Sequence, residues 1–218
     1  MQPDFQWVDA QLVALAGVLR PDVAERPFLF EPTAEFYGLF SSGEDEDLRR
    51  AVALAALHPP VAAHIRGQVP NACYLPPGAG QRGIGGKLVP GTFWGSEIQV
   101  PFASMGRPER IGAIIAHELG HLVLNTVGSR LPDYEENECL VDVTGVFVGL
   151  GGLLLNGKQS DPTSSLYQEN LGHLPLELTG YAFDKACRTR GVDPEAASDD
   201  LAPFVQAALE SWRCRWPA

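Results

Sequence analysis

The sequence lacks most of the features that place a chain quickly. It has no Cys-x-x-Cys pair, and Cys73, Cys139, Cys187 and Cys214 lie far apart. That excludes a thiolate zinc ribbon and a thioredoxin-type motif. A chain of 218 residues can bury a core without disulfide staples, so reduced thiols are expected. Met1–Asp4 shows no basic stretch followed by an apolar run. No secretory signal is read there, and a cytoplasmic setting is expected. Basic residues are scarce, with 16 Lys and Arg against 27 Asp and Glu and a net charge of −11. Nucleic acids and anionic membranes both attract clustered Lys and Arg, so neither is an expected partner. No stretch of about 18 apolar residues is free of charge, which argues against a membrane span.

What remains is an ordinary globular balance, 45% hydrophobic and 20% charged, which excludes a disordered chain. One domain over residues 1–218 is the simplest layout. It divides into a helical N-terminal part (1–70), a core of 96–156 and C-terminal helices (175–213). Apolar residues recur at helical spacing from Val8 to Arg20, where Pro21 ends the run. Pro27–Phe30 reads as a short strand. The acidic run Glu44–Asp47 suits the first turn of a helix, facing the positive end of its dipole. Pro59 and Pro60 close that helix.

Pro76–Gly95 is dense in Gly and Pro and reads as a loop or irregular hairpin near a cleft. Gly83-Ile84-Gly85-Gly86-Lys87 is not a phosphate loop, because its spacing is wrong and Leu88 follows the Lys. Glu97–Val100 reads as a strand that Pro101 confines to a sheet edge or end. Helices are expected over Pro108–Thr126, with Pro at the start and Gly128 past the end, and over 135–155, 175–190 and 198–213. The expected class is α+β, mostly helical with a small sheet.

The chemistry concentrates in His117-Glu118-Leu119-Gly120-His121. Two imidazoles four residues apart project from one helical face, and that spacing suits a single Zn2+. Glu118, beside the first His, can act as general base on a water at the metal. Ile111, Ile114, Ile115 and Ala116 make the helix a buried one, and Gly120 permits close packing by a neighbour. A catalytic zinc takes a third protein ligand. The candidates are Glu135, Glu136, Glu138 and Asp142. Glu135 and Glu136 fit better as solvated first-turn residues. Glu138 and Asp142 share a helical face. Glu138 is favoured as the ligand with Asp142 orienting a ligand imidazole, and the reverse remains open. Two or three acidic residues are thus expected to be buried at a metal.

His117–His121 together with Asn137–Asp142 resembles the zincin metallopeptidases, and Glu138-x-x-x-Asp142 looks like the gluzincin branch. The resemblance implies His117, His121 and Glu138 as zinc ligands, Glu118 as catalytic base and Asp142 as the partner of a ligand His. It implies that Glu97–Val100 is the edge strand that aligns an extended peptide. It also implies a later His or Tyr that stabilises the oxyanion. His173, Tyr134, Tyr167 and Tyr181 are the candidates. The interval from His121 to Glu138 is short for large gluzincins. The chain looks closer to compact bacterial zincin domains, and it resembles bacterial proteins that pair the motif with a Pro-Thr-x-Glu-Phe segment, here Pro32–Phe36.

Val143–Leu155 is too short to span a bilayer. Gly145, Gly149 and Gly152 would lie along one face of a core helix packed on the metal helix. Cys139 reads as a small buried residue, and His58 and His64 as structural or surface residues. The expected function is a zinc metallopeptidase, a hydrolase acting on peptide or protein substrates. The alternatives are a latent, zinc-bound scaffold that binds a regulatory partner, and a non-peptide amide hydrolase.

Overall fold

The computed structural model describes residues 3–19, 28–75, 87–90, 96–101, 104–158 and 173–216. Its architecture is α+β, mostly helical around a small sheet. The N-terminal part holds α1 (Phe5–Val18), α2 (Ala34–Gly38), α3 (Asp45–Ala56) and α4 (Pro59–Ile65). Asp4 caps α1 by accepting from the Trp7 amide, and Thr33 caps α2 by accepting from the Phe36 amide. The Pro32–Phe36 segment is thus a helix start whose Phe36 is buried among Phe30, Tyr37 and Phe40. Asp45, Glu46 and Asp47 occupy the first turn of α3, as their charge demands. Pro59 and Pro60 do more than close α3: they open α4, where a missing N–H costs nothing.

The sheet consists of β1 (Asn71–Leu75), β2 (Lys87–Pro90) and β3 (Ser96–Pro101) in the order β1-β3-β2. β1 runs parallel to β3, with Asn71 opposite Glu97. β2 runs antiparallel to it, with Pro90 opposite Ser96. Two expectations are corrected here. β3 is the central strand, not an edge, because β2 from the Gly-rich segment pairs along its other side. Pro101 sits at the strand end, where its missing donor does no harm. Phe28–Phe30 is not a strand. The Phe30 amide donates to Gly149 O instead, at 3.0 Å. The rest of the Gly-rich segment, 76–86 and 91–95, lies outside the described residues.

The core is built on α5 (Pro108–Val127), which packs against β2, β3 and most of the other helices. Gly128, at φ 69°, closes it in the left-handed conformation. Next come α6 (Tyr134–Gly145), a π turn (Val146–Leu150) and α7 (Gly151–Gly157). By length and composition the run Tyr134–Gly157 could cross a membrane, but its most apolar stretch is wholly buried inside the molecule. It carries Asp142 and packs on α5. The π turn overturns the single glycine face. Gly149 adopts φ 90°, and its α-carbon faces Phe28 O and His58. Gly145 faces Ala116 and Leu154, while Gly152 faces Leu201. An added residue in a helical turn rotates everything after it. α8 (Leu176–Thr189), a 3-10 turn at Ala196–Ser198 and α9 (Pro203–Arg213) complete the fold. The last helix starts later than expected, at a proline.

Candidate metal centre

The site starts with a glycine. A Cβ on Gly120 would lie 2.7 Å from Val141 O, closer than real Cβ contacts come. The absence of that atom lets α6 lie directly on α5. One turn before Val141, Glu138 therefore meets both histidines. His117 Nε2 lies 3.2 Å and His121 Nε2 3.3 Å from Glu138 Oε2. Donor atoms of the three residues lie within 4.8 Å of one another. The two imidazole rings meet edge to face at 4.8 Å.

Bonds of about 2.0–2.1 Å at tetrahedral angles put neighbouring zinc donors about 3.3 Å apart. Two of the three donor separations match that edge, the set as a whole is bounded at 4.8 Å, and two imidazoles with one carboxylate form a donor set that zinc accepts. The three residues could hold a metal ion of this kind. His117 and His121 are partly exposed, and Glu138 is buried at 6% exposure.

Asp142 is completely buried and serves four donors. Its Oδ1 accepts from His117 Nδ1 at 2.8 Å. That bond fixes the Nδ1–H tautomer and points Nε2 at the cluster. Its Oδ2 accepts from Lys158 Nζ at 3.2 Å and from the backbone amides of His173 (3.0 Å) and Leu174 (2.9 Å). Both Asp142 oxygens are thus engaged by donors, whereas Glu138 Oε2 faces both imidazoles. Sequence reasoning missed Lys158, and no local spacing links it to Asp142 across the π turn. Its side chain is 6% exposed.

Burial opposes charge throughout this cluster, and the partners outweigh it. His117 is raised to about 10 by its bonds to Asp142 and Glu138 and by the charges of Asp142 and Glu118, against desolvation. Glu138 is lowered to about 2 by its bonds to His117 and His121, again against desolvation. Asp142 is held far below the carboxylate range, against complete burial, by Lys158 first and then by His117. In the metal-free protein the centre is thus an ionised network.

Glu118 is buried at 2% exposure, and its charge reaches both His117 and Tyr134. Its side chain belongs to the same neighbourhood. His173 is brought there too. Its ring stacks on His117 at 6.1 Å, its Nε2 lies 3.6 Å from Glu138 Oε2, and its Nδ1 lies 3.2 Å from Glu135 Oε2. Tyr134 is exposed at the rim, with its ring edge-on to His173 and its hydroxyl raised mainly by the Glu138 charge. Tyr181 is engaged elsewhere, donating to Asp9 of α1 at 2.9 Å. Tyr167 lies outside the described residues.

Glu135 is exposed and Glu136 partly so, both in the first turn of α6. Cys139 is buried, and its thiol is pushed up to about 11 by desolvation and the Asp142 charge. A thiol held protonated is a poor nucleophile and a poor ligand. His58 is buried and bonds Phe28 O at 2.9 Å, whereas His64 bonds Pro60 O. A separate cavity of about 250 Å³ is lined by Phe30, Phe183, Val192 and Leu201 among others, and none of the cluster residues borders it. No protein-family model, no curated protein and no solved structure matches this chain.

Proposed function

We propose that the protein is a zinc-dependent peptidase of the zincin type, with His117, His121 and Glu138 as ligands and Glu118 as general base. The observation that carries the reading is the pair of 3.2 and 3.3 Å separations between the two imidazole nitrogens and Glu138 Oε2, the edge of a tetrahedral zinc site. When bound, the ion supplies a Lewis acid that acidifies water and polarises a carbonyl. The chain supplies the rest. Glu118 accepts the proton of the attacking water and returns it to the leaving amine. His173 or Tyr134 donates to the developing oxyanion from the rim.

An extended substrate needs an open strand edge. The outer side of β1 faces α3, where Asp45 already accepts from the Tyr74 amide at 2.8 Å. β2 is the other edge, antiparallel to β3 and in contact with α5. On this reading β2, the other outer strand of the sheet, is the candidate for the alignment role expected of β3.

The experiment is metal analysis of the purified protein, followed by a peptide library digested with wild type and Glu118→Gln. Expected is one bound zinc in both and cleavage by the wild type alone. Equal cleavage by both proteins would remove Glu118 from the chemistry, and a wild type that binds no zinc would remove the centre. A second reading, the latent scaffold, is favoured by one observation: His173 Nε2 lies only 3.6 Å from Glu138 Oε2. An imidazole there can close the fourth position. The wild type would then bind zinc and cleave nothing in the library.

A further inference from the structure

Resting on the metal-centre reading above, we propose that Lys158 is a positioning residue of that centre, acting on the ligand His117 through Asp142. The ammonium lies 3.2 Å from Asp142 Oδ2, and Asp142 Oδ1 lies 2.8 Å from His117 Nδ1. The chain of contacts is therefore ammonium, carboxylate, imidazole, with both charged members of the first pair buried. Lys158 Nζ also donates to the Leu174 carbonyl. Thr179 Oγ1 lies 3.3 Å from the same oxygen. Lys158 is the charged side chain among the described donors to Asp142 Oδ2; the other two are the amides of His173 and Leu174.

The physics gives Lys158 a specific task. A carboxylate without exposure is unstable as an anion unless it is paired. As an anion Asp142 has lone pairs for all four of its donors. The Lys158 ammonium is the counter-charge that lies against this carboxylate, so it holds Asp142 Oδ2 in place while Oδ1 accepts from His117 Nδ1 and orients the ring. Lys158 lies 16 residues beyond Asp142, so α7 folding back on α5 brings a counter-charge to the centre from a different part of the chain.

The test is zinc affinity, measured on metal-stripped protein by competition with a chromophoric chelator. It needs no turnover. Lys158→Gln keeps a donor on a side chain one bond shorter but loses charge, whereas Lys158→Arg keeps the charge. Expected is an affinity at least tenfold weaker for the Gln variant, the scale on which partners of metal-bound histidines act, with the Arg variant within about threefold of wild type by the same scale. A Gln variant within twofold of wild type overturns the proposal, as do Gln and Arg variants equally weakened. If the Gln variant is unfolded without metal, Asp142→Asn is compared with Asp142→Asn combined with Lys158→Met. A residue acting through Asp142 has nothing left to act on, so the two should agree within twofold. A further tenfold loss in the combined variant overturns the proposal. A wild type without zinc affinity would instead refute the metal reading itself.

Discussion

Gly120 and Val141 touch in a way that no other residue at position 120 would allow. A Cβ there would sit 2.7 Å from the Val141 carbonyl oxygen and 3.1 Å from Val141 Cγ1. The separation between α5 and α6 is set by this one missing methyl group. Gly120→Ala should therefore push the helices apart. The expected cost is about 1–3 kcal/mol, typical of overpacking, in spite of Ala's better helix propensity. Urea unfolding of metal-free protein measures it, and zinc affinity should fall in parallel. A variant as stable as wild type would show that the helices have slack.

Zinc uptake should release protons. His117, raised to about 10, is an imidazolium at neutral pH in the metal-free protein, and a ligand nitrogen must be unprotonated. About one proton should leave with each ion bound near pH 7. Calorimetry in two buffers of different ionisation enthalpy counts it directly. Uptake without proton release would mean that His117 is neutral before the metal arrives.

The metal-free protein should also show a stability window. His117 is raised from 6.5, so its contribution is complete below about pH 6.5 and is lost as pH rises through about 10. Glu138 is lowered from 4.5, so its contribution is complete above about pH 4.5 and is lost as pH falls through about 2. Denaturation midpoints with chelator present should be highest between those limits. Glu138→Gln should flatten the acidic limb. Midpoints that climb steadily from pH 7 to 10 would contradict the His117 assignment.

Asp142→Asn strands a buried ammonium. Removing one partner of a buried ion pair costs about 3–5 kcal/mol, because Lys158 keeps its charge without its carboxylate. Combining it with Lys158→Met removes both charges and should recover much of that loss. Chemical denaturation of the two metal-free variants tests the order. A single variant more stable than the double would place the stabilisation elsewhere.

Gly149→Ala should be the most damaging of the glycine changes. The residue adopts φ 90°, and a Cβ would fall 2.0 Å from Phe28 O and 2.8 Å from His58 Nε2. Strain and overlap act together at one position. Expected is loss of soluble protein or a drop in midpoint larger than that of Gly120→Ala. A midpoint unchanged from wild type would count against the π turn.

The donor residues were legible because their signal is local. His117, Glu118 and His121 sit on one helix, and Glu138 with Asp142 sits on the next, so a period of 3.6 suffices to group them. The helix start at the acidic run before Leu48 was legible too, whereas the caps Asp4 and Thr33 were not read from the sequence. The order of the sheet was not, since β2 reaches β3 from a segment whose composition reads as loop. Lys158 was hidden by the π turn, which breaks the periodicity that would have related it to Asp142. The backbone amides at 173 and 174 have no sequence signature at all. Tyr134, Tyr167 and Tyr181 looked equivalent as letters, yet Tyr181 is engaged with Asp9 on a different helix.

Asp142 takes its donors from residues 117, 158, 173 and 174. Their separations in sequence, up to 32 residues, carry a consequence for the order of folding. Non-local contacts form after local ones, because loop closure must come first. A nascent chain that has not yet emitted Leu174 holds α5 and α6, but a carboxylate between them with donors missing. The centre is assembled only when the C-terminal third docks, so metal capture would mark the end of folding rather than nucleate it. Refolding followed by a zinc-sensitive dye would then lag behind refolding followed by helix content.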